Sequence, residues 1–340
     1  MIYFIGPTAD TGGPAIKNKI LCDYLRGKHI RFKQCNTYSQ SWKNRITCLL
    51  KILFTNADTF LVAVGRKGNR MIYPLLYWKK KIRPSVRYAL VCIGGQVAEE
   101  LAKRGLLFRR SVAAADLCTV ETETLLKKVQ KQGFTNFRVL PNYVEGFSME
   151  EEKEKHFGSA LRFVYLSSIR NCKGLQTMIS AFQLFVKKVP DALLDIYGPI
   201  QPDFNLKIFS GLQQHGITYR GVVKKDQVLS CLSGYHVFIF PTECSSEGFP
   251  AVLVEAQYAG LPVIASDICY NAEIIQHQKN GYIYPAGNVE RLEQALMHCQ
   301  THREELAIIS EENKRNSRQY DADRVLSDFL SALQKKGWRV

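Results

Sequence analysis

Short runs of apolar residues recur along the chain, and between them apolar positions return every three or four residues. In the first half the runs fall at 2–5, 59–64, 88–93, 117–120 and 137–140. In the second half they fall at 163–166, 193–197, 217–219, 237–240, 263–265 and 282–284. Because they are continuous rather than alternating, they predict strands covered on both faces, the condition of a parallel sheet. The stretches 15–26, 41–54, 96–104 and 123–132 carry helical periodicity, and helical segments alternate with strands again in the second half. Two successive series of β/α units predict an α/β protein of two doubly wound, Rossmann-like domains. Two such domains facing each other leave a cleft between the carboxyl ends of their sheets, so functional residues are expected on loops after strands.

Pro141-Asn142 is followed by a charged stretch at 149–155 (MEEEKEK) that lacks apolar periodicity and reads as an exposed linker. The first domain is therefore set at 1–155 and the second at 156–320. A last helical stretch within 321–340 can pack back on the first domain. The 340 residues suffice for two cores, and 46% hydrophobic with 23% charged residues describes an ordinary soluble protein. No apolar run approaches the roughly 18 residues of a membrane span. The start, MIYFIGPTADTGG, lacks the basic and apolar regions of a secretory signal. Ten cysteines stand singly, without CxxC or zinc-ligand spacing, which predicts reduced thiols in a cytoplasmic protein.

Charge changes this picture. The net charge is +15, and residues 1–150 hold 25 Lys and Arg against 10 Asp and Glu, so the whole excess lies in the first half. A field of one sign steers that domain toward an anionic surface. The stretch 42–54 (WKNRITCLLKILF) reads as an amphipathic helix with Trp42, Ile46, Leu49, Leu50 and Leu53 on one face. In 71–81 (MIYPLLYWKKK) aromatic residues run directly into lysines. Both suit the interfacial zone of an anionic membrane; a core helix with a solvated charged face is the alternative. No nucleic-acid-binding module is visible, so no nucleic acid is expected.

The segment 237–267 (VFIFPTECSSEGFPAVLVEAQYAGLPVIASD) carries the most chemistry. A buried strand ends at Phe240-Pro241, a loop with Ser245, Ser246, Glu247 and Gly248 follows, and Pro250 suits the first helical position. A helix N-terminus there would offer free N–H groups and a positive dipole end to a diphosphate. Glu255 lies within an almost wholly apolar helix, where a carboxylate is costly unless hydrogen-bonded. Sugar or ribose hydroxyls are suitable donors, and a buried Arg or backbone N–H is the alternative. Asp321-Ala322-Asp323 has the form of a metal motif but stands where an Asp N-cap is favoured. The seven His form no cluster, so no metal is predicted.

Glu247 and Glu255 bracket seven residues, GFPAVLV, and this Glu-x7-Glu pattern resembles the retaining nucleotide-sugar glycosyltransferases of family 4, with the GT-B fold. The run Ala259 to Ala265 and Asn280-Gly281 also resemble the family, and Phe240-Pro241-Thr242 and Tyr270-Asn271-Ala272-Glu273-Ile274-Ile275 resemble its bacterial capsule, O-antigen and exopolysaccharide subgroup. The resemblance covers most of 160–300 and, more weakly, the first half. It implies that the amides of Gly248, Phe249 and Ala251 face the donor's sugar and phosphates. Glu247 would hold sugar hydroxyls and Glu255 the ribose. Lys173, in Lys173-Gly174, would clamp the diphosphate. The family's usual Arg is replaced by Ser168, and Arg170, two residues on, could serve the same phosphate.

In the first domain, Gly12-Gly13 follows the first strand at a helix start, where paired glycines let backbone approach a phosphate or sugar. Gly94-Gly95 and Glu121 are candidates for the acceptor site. The resemblance thus implies metal-independent transfer of a hexose-type sugar from a UDP- or GDP-sugar to a lipid-linked glycan at the inner face of the cell membrane. Two alternatives stay open: a catalytically inactive partner of another transferase, suggested by Ser168, and a basic nucleic-acid-binding protein.

Overall fold

The computed structural model describes residues 1–10, 12–38, 41–145, 157–158, 160–209 and 211–340. The chain forms two units, Met1–Glu145 with Tyr320–Val340, and Gly146–Gln319. The charged stretch 149–155, and with it the boundary placed at 155, lies outside the described residues.

The first unit has six parallel strands: β1 (Ile2–Gly6), β2 (Phe32–Asn36), β3 (Thr59–Val62), β4 (Arg87–Val91), β5 (Leu117–Val120) and β6 (Phe137–Val139). Their spatial order is β2-β1-β3-β4-β5-β6. Six helices connect or flank them: α1 (Gly13–Gly27), α2 (Trp42–Phe54), α3 (Arg66–Ile82), α4 (Val97–Lys103), α5 (Leu106–Ala113) and α6 (Glu123–Gln130). β2 escapes the apolar pattern because it is an edge strand with only Cys35 buried.

The second unit repeats the scheme with β7 (Arg162–Leu166), β8 (Leu193–Tyr197), β9 (Ile217–Gly221), β10 (Val237–Phe240), β11 (Val263–Ser266) and β12 (Gly281–Tyr284). Its helices are α7 (Leu175–Val186), α8 (Val228–Ser233), α9 (Ala251–Tyr258), α10 (Asn271–Ile274), α11 (Val289–Thr301) and α12 (Arg303–Ser317). The order β12-β11-β10-β7-β8-β9 starts in the middle and grows outward in both directions, which is the doubly wound arrangement.

The last helix, α13 (Ala322–Lys335), belongs to the first unit. Asp321 caps it, accepting from the Asp323 amide at 2.9 Å, so the DxD-like pair is a helix start. Its apolar stripe, Val325, Leu326, Phe329, Leu330 and Leu333, enters the same core as Ile2, Phe4, Leu21 and Leu25. Trp338 follows it and donates from Nε1 to Asp116 Oδ2 at 3.0 Å.

Two helices of this unit turn apolar side chains outward. On α2 the side chain buried in the unit is Ile52, while Ile46, Leu50, Leu53 and Phe54 are exposed. On α3, Ile72, Tyr73 and Leu76 are buried, and Met71, Trp78 and Ile82 are exposed. Lys79 ties the two helices, donating to the carbonyls of Leu53 and Thr55 at 2.9 and 2.8 Å. Among the described residues no helix is long and apolar enough to cross a membrane.

The α13 packing has a measurable consequence. Leu326→Ala should cost about 2–5 kcal/mol, as a fully buried leucine truncation does. The three tryptophans all belong to the first unit, so urea unfolding followed by tryptophan fluorescence reads that unit. An unchanged midpoint would show that α13 contributes nothing to its stability.

Candidate functional site

The strand order of the second unit reverses between β7 and β10, which pair side by side. Ligands in doubly wound sheets bind outside the carboxyl ends of the strands at such a switch point. The loops that follow these two strands carry Ser168, Arg170 and Lys173, and Glu247 through Ala251.

Three contacts hold the two loops together. The Glu243 amide donates to the Cys172 carbonyl at 2.8 Å. Cys172 and Cys244 form a disulfide, 72 residues apart in sequence and 4.9 Å between Cα atoms. Gly174 lies so close that a Cβ there would stand 1.8 Å from the Pro241 carbonyl oxygen, and its φ of +68° is one that side chains rarely adopt. The disulfide corrects the expectation of ten reduced thiols. Strand pairing brings the two residues together, which their sequence separation conceals. The other eight cysteines form no disulfide, and burial pushes the thiols of Cys22, Cys35 and Cys92 up to about 12.

On this base the ammonium of Lys173 forms an ion pair with Glu247 Oε1, both side chains being largely buried. Thr242 Oγ1 donates to the same oxygen at 3.2 Å, and Lys173 Nζ lies 5.5 Å from the centre of the Phe240 ring. Glu243, in the same loop, accepts from Thr177 Oγ1 at 2.7 Å. Gly248 and Phe249 are buried, and Ala251 is the first residue of α9. Pro250 occupies the N-cap, one position before the first helical residue predicted for it. Glu255 is 6% exposed, and its carboxylate pairs with Lys225. Lys225 stands in a 3₁₀ turn before α8, 30 residues away, and no spacing in the sequence signals it.

Two predicted positions are arranged differently. Arg170 is exposed and faces Asp203 at 3.6 Å rather than Glu247. Ser168 accepts from the Tyr165 hydroxyl through its backbone carbonyl, at 3.1 Å.

Gly12, Gly13, Gly94, Gly95 and Glu121 belong to the first unit. Gly12, with φ +85°, caps α1 and leaves open space where a Cβ would be. Gly13 opens that helix. Glu121 is only 2% exposed, and its two oxygens accept from Lys17 Nζ and from the Gly94 amide, each at 3.0 Å. The Tyr143 hydroxyl closes the network on the Lys17 carbonyl at 3.0 Å. Glu121 therefore anchors the Gly94-Gly95 loop to α1 from beneath. Among the described residues no three His, Cys, Asp or Glu side chains gather as metal ligands.

A family model described as glycosyl transferases group 1 matches residues 147–316, half of the chain and nearly the whole second unit. The chain belongs to this family. An uncharacterized glycosyltransferase of Haemophilus influenzae is 22% identical over 162 residues, 47% of this chain and 45% of the relative. The GDP-mannose-dependent alpha-(1-6)-phosphatidylinositol monomannoside mannosyltransferase of Mycobacterium tuberculosis is 28% identical over 155 residues, 43% and 40% respectively. The group 1 chain thus spans under half the length of these curated relatives. Among solved structures, Anabaena HepE in complex with UDP superposes with a TM-score of 0.76 at 14% identity, covering 98% of this chain and 99% of that one. The likeness shows the fold, GT-B, with two Rossmann-like domains.

Gly174→Ala should destabilise the second unit by about 1–3 kcal/mol, since it adds a clash to a strained backbone. Calorimetry would detect it, and an unchanged transition would contradict the close approach to Pro241. Thiol titration under denaturing conditions should give eight groups before reduction and ten after. Ten before reduction would show Cys172 and Cys244 to be unpaired.

Proposed function

We propose that this chain is a retaining, metal-independent hexosyltransferase that takes a UDP- or GDP-sugar donor and extends a lipid-linked glycan in surface polysaccharide synthesis. The observation that carries the reading is that both carboxylates of the Glu-x7-Glu pattern are each held by a lysine at the carboxyl end of the second sheet. A buried carboxylate without a partner is costly, so each lysine stands where a ligand's donors would act. A nucleotide-sugar offers both exchanges at once. Its diphosphate takes Lys173, leaving Glu247 to accept hydroxyls of the sugar. Its ribose hydroxyls take Glu255, and Lys225 turns to the nucleotide.

The leaving diphosphate gains negative charge as the sugar departs. Lys173, Arg170 released from Asp203, and the amides at the start of α9 would meet that charge. This supply of positive groups is why no obligatory metal is invoked. Retention follows from the resemblance, with the acceptor attacking from the face the diphosphate leaves, and no protein nucleophile is assigned.

The acceptor side draws on the first unit. Exposed apolar side chains of α2 and α3, beside Lys43, Lys51, Arg70 and Lys81, support peripheral attachment to an anionic membrane at the cytoplasmic face. The mycobacterial relative is named for phosphatidylinositol monomannoside, a lipid, which accords with a lipid-borne acceptor here. The inactive-partner reading keeps one observation of its own, since Ser168 replaces an arginine and Arg170 faces Asp203.

Release of nucleoside diphosphate from a panel of UDP- and GDP-sugars, with a lipid diphosphate acceptor and EDTA present, tests the proposal. One donor should dominate, and Glu247→Gln and Lys173→Ala should each lower the rate by about 100-fold or more. Turnover unchanged by either substitution would remove these residues from the mechanism. No turnover with any donor would favour the inactive partner.

A further inference from the structure

The first unit contains a cavity of about 570 Å³, inside the range of about 300–1,000 Å³ usual for small-molecule sites. It opens beyond the carboxyl ends of β1, β2 and β3, where this sheet has its own switch point between β1 and β3. Asn18, fully buried, donates its side-chain amide to the carbonyls of Pro7 and Ala63, both at 2.9 Å, and so ties together the two loops that diverge there.

The lining is chemically divided. Cys48 and Leu49 of α2, Val64, and Met71 and Ile72 of α3 make the interior apolar. Arg66 and Lys67, both exposed, stand at the mouth on the first turn of α3. Arg66 also donates to Gln96 Oε1, next to Gly94-Gly95. Met71, half exposed, joins the cavity to the outward apolar face formed with Trp78 and Ile82. A path of hydrocarbon therefore runs from the surface of α3 into a pocket whose rim is cationic.

We infer that this cavity binds the hydrocarbon chain of a phosphate-bearing lipid, with the phosphate held at Arg66 and Lys67. The inference rests on the lipid-linked acceptor proposed above and gives that acceptor a binding site. An apolar interior without the basic mouth would suit any hydrophobe, and a basic patch without the interior would suit any anion. The conjunction selects an anionic amphiphile, in keeping with a unit whose sequence holds the whole positive excess of the chain.

Cys48 makes the inference directly testable, because it is a thiol lining the cavity outside any disulfide, whereas Cys269 is an exposed thiol of the other unit. The full chain would be treated with N-ethylmaleimide and modification located by peptide mass mapping. Farnesyl diphosphate should slow modification of Cys48 by about tenfold or more and leave Cys269 unchanged, while inorganic diphosphate and farnesol should each do far less. Calorimetric titration of the same three probes gives the ranking without the thiol. Met71→Asp should abolish protection, and Ile308→Ser, at an exposed position on α12 of the other unit, should keep it. Arg66→Ala with Lys67→Ala should erase the preference for farnesyl diphosphate over farnesol.

Absence of binding by farnesyl diphosphate overturns the inference, as does equal binding of inorganic diphosphate, which would mean a free-anion site, or of farnesol, which would mean that charge plays no part. Donor turnover without Cys48 protection would reject the cavity and keep the transferase. Protection without turnover would do the reverse.

Discussion

The candidate site depends on one close approach, that of Gly174 to the Pro241 carbonyl. It lets the loop after β7 lie against the loop after β10, and everything else at the carboxyl end of that sheet follows from the contact. Any side chain at 174 would force the loops apart. With hydrogen in place of Cβ, Cys172 meets Cys244 and Lys173 reaches Glu247. A loop pair so closely packed arranges charges that a freely solvated pair would leave dispersed.

The same sheet explains why the charged groups are paired. Glu255 sits on a helix that is otherwise buried, and Glu247 is shielded by its own loop. Neither can be left ionised in such surroundings without a cation, and Lys225 and Lys173 provide one each.

The first unit solves a different problem with the same topology. At its switch point lie a cavity, the loops after β1 and β3 tied by Asn18, and two helices with outward apolar faces. The buried Lys17–Glu121 pair lies beneath the Gly94-Gly95 loop and fixes it. The two sheets therefore serve unlike chemistry, polar and charged in one unit, apolar with a cationic rim in the other.

The sequence alone determined the layout of parallel strands and most helices, because burial on both faces writes itself as continuous apolar runs. It missed β2, whose edge position leaves a polar pattern, and it set Pro250 one residue late. It singled out Glu247, Glu255 and Lys173 through the resemblance, and the structure places Lys173 beside Glu247 and Glu255 within α9. It could not identify Lys225, the Cys172–Cys244 bond, the inward role of Glu121 or the cavity beside Cys48. Each of these joins residues from different strands or helices, and only the order of strands in a sheet decides which loops meet. The amphipathic pattern of α2 was legible, yet which face it buries was not: the tertiary structure turned Ile52 inward and left Leu50 and Leu53 outside. Periodicity fixes that a helix has an apolar face, while packing against the neighbouring sheet fixes where that face points.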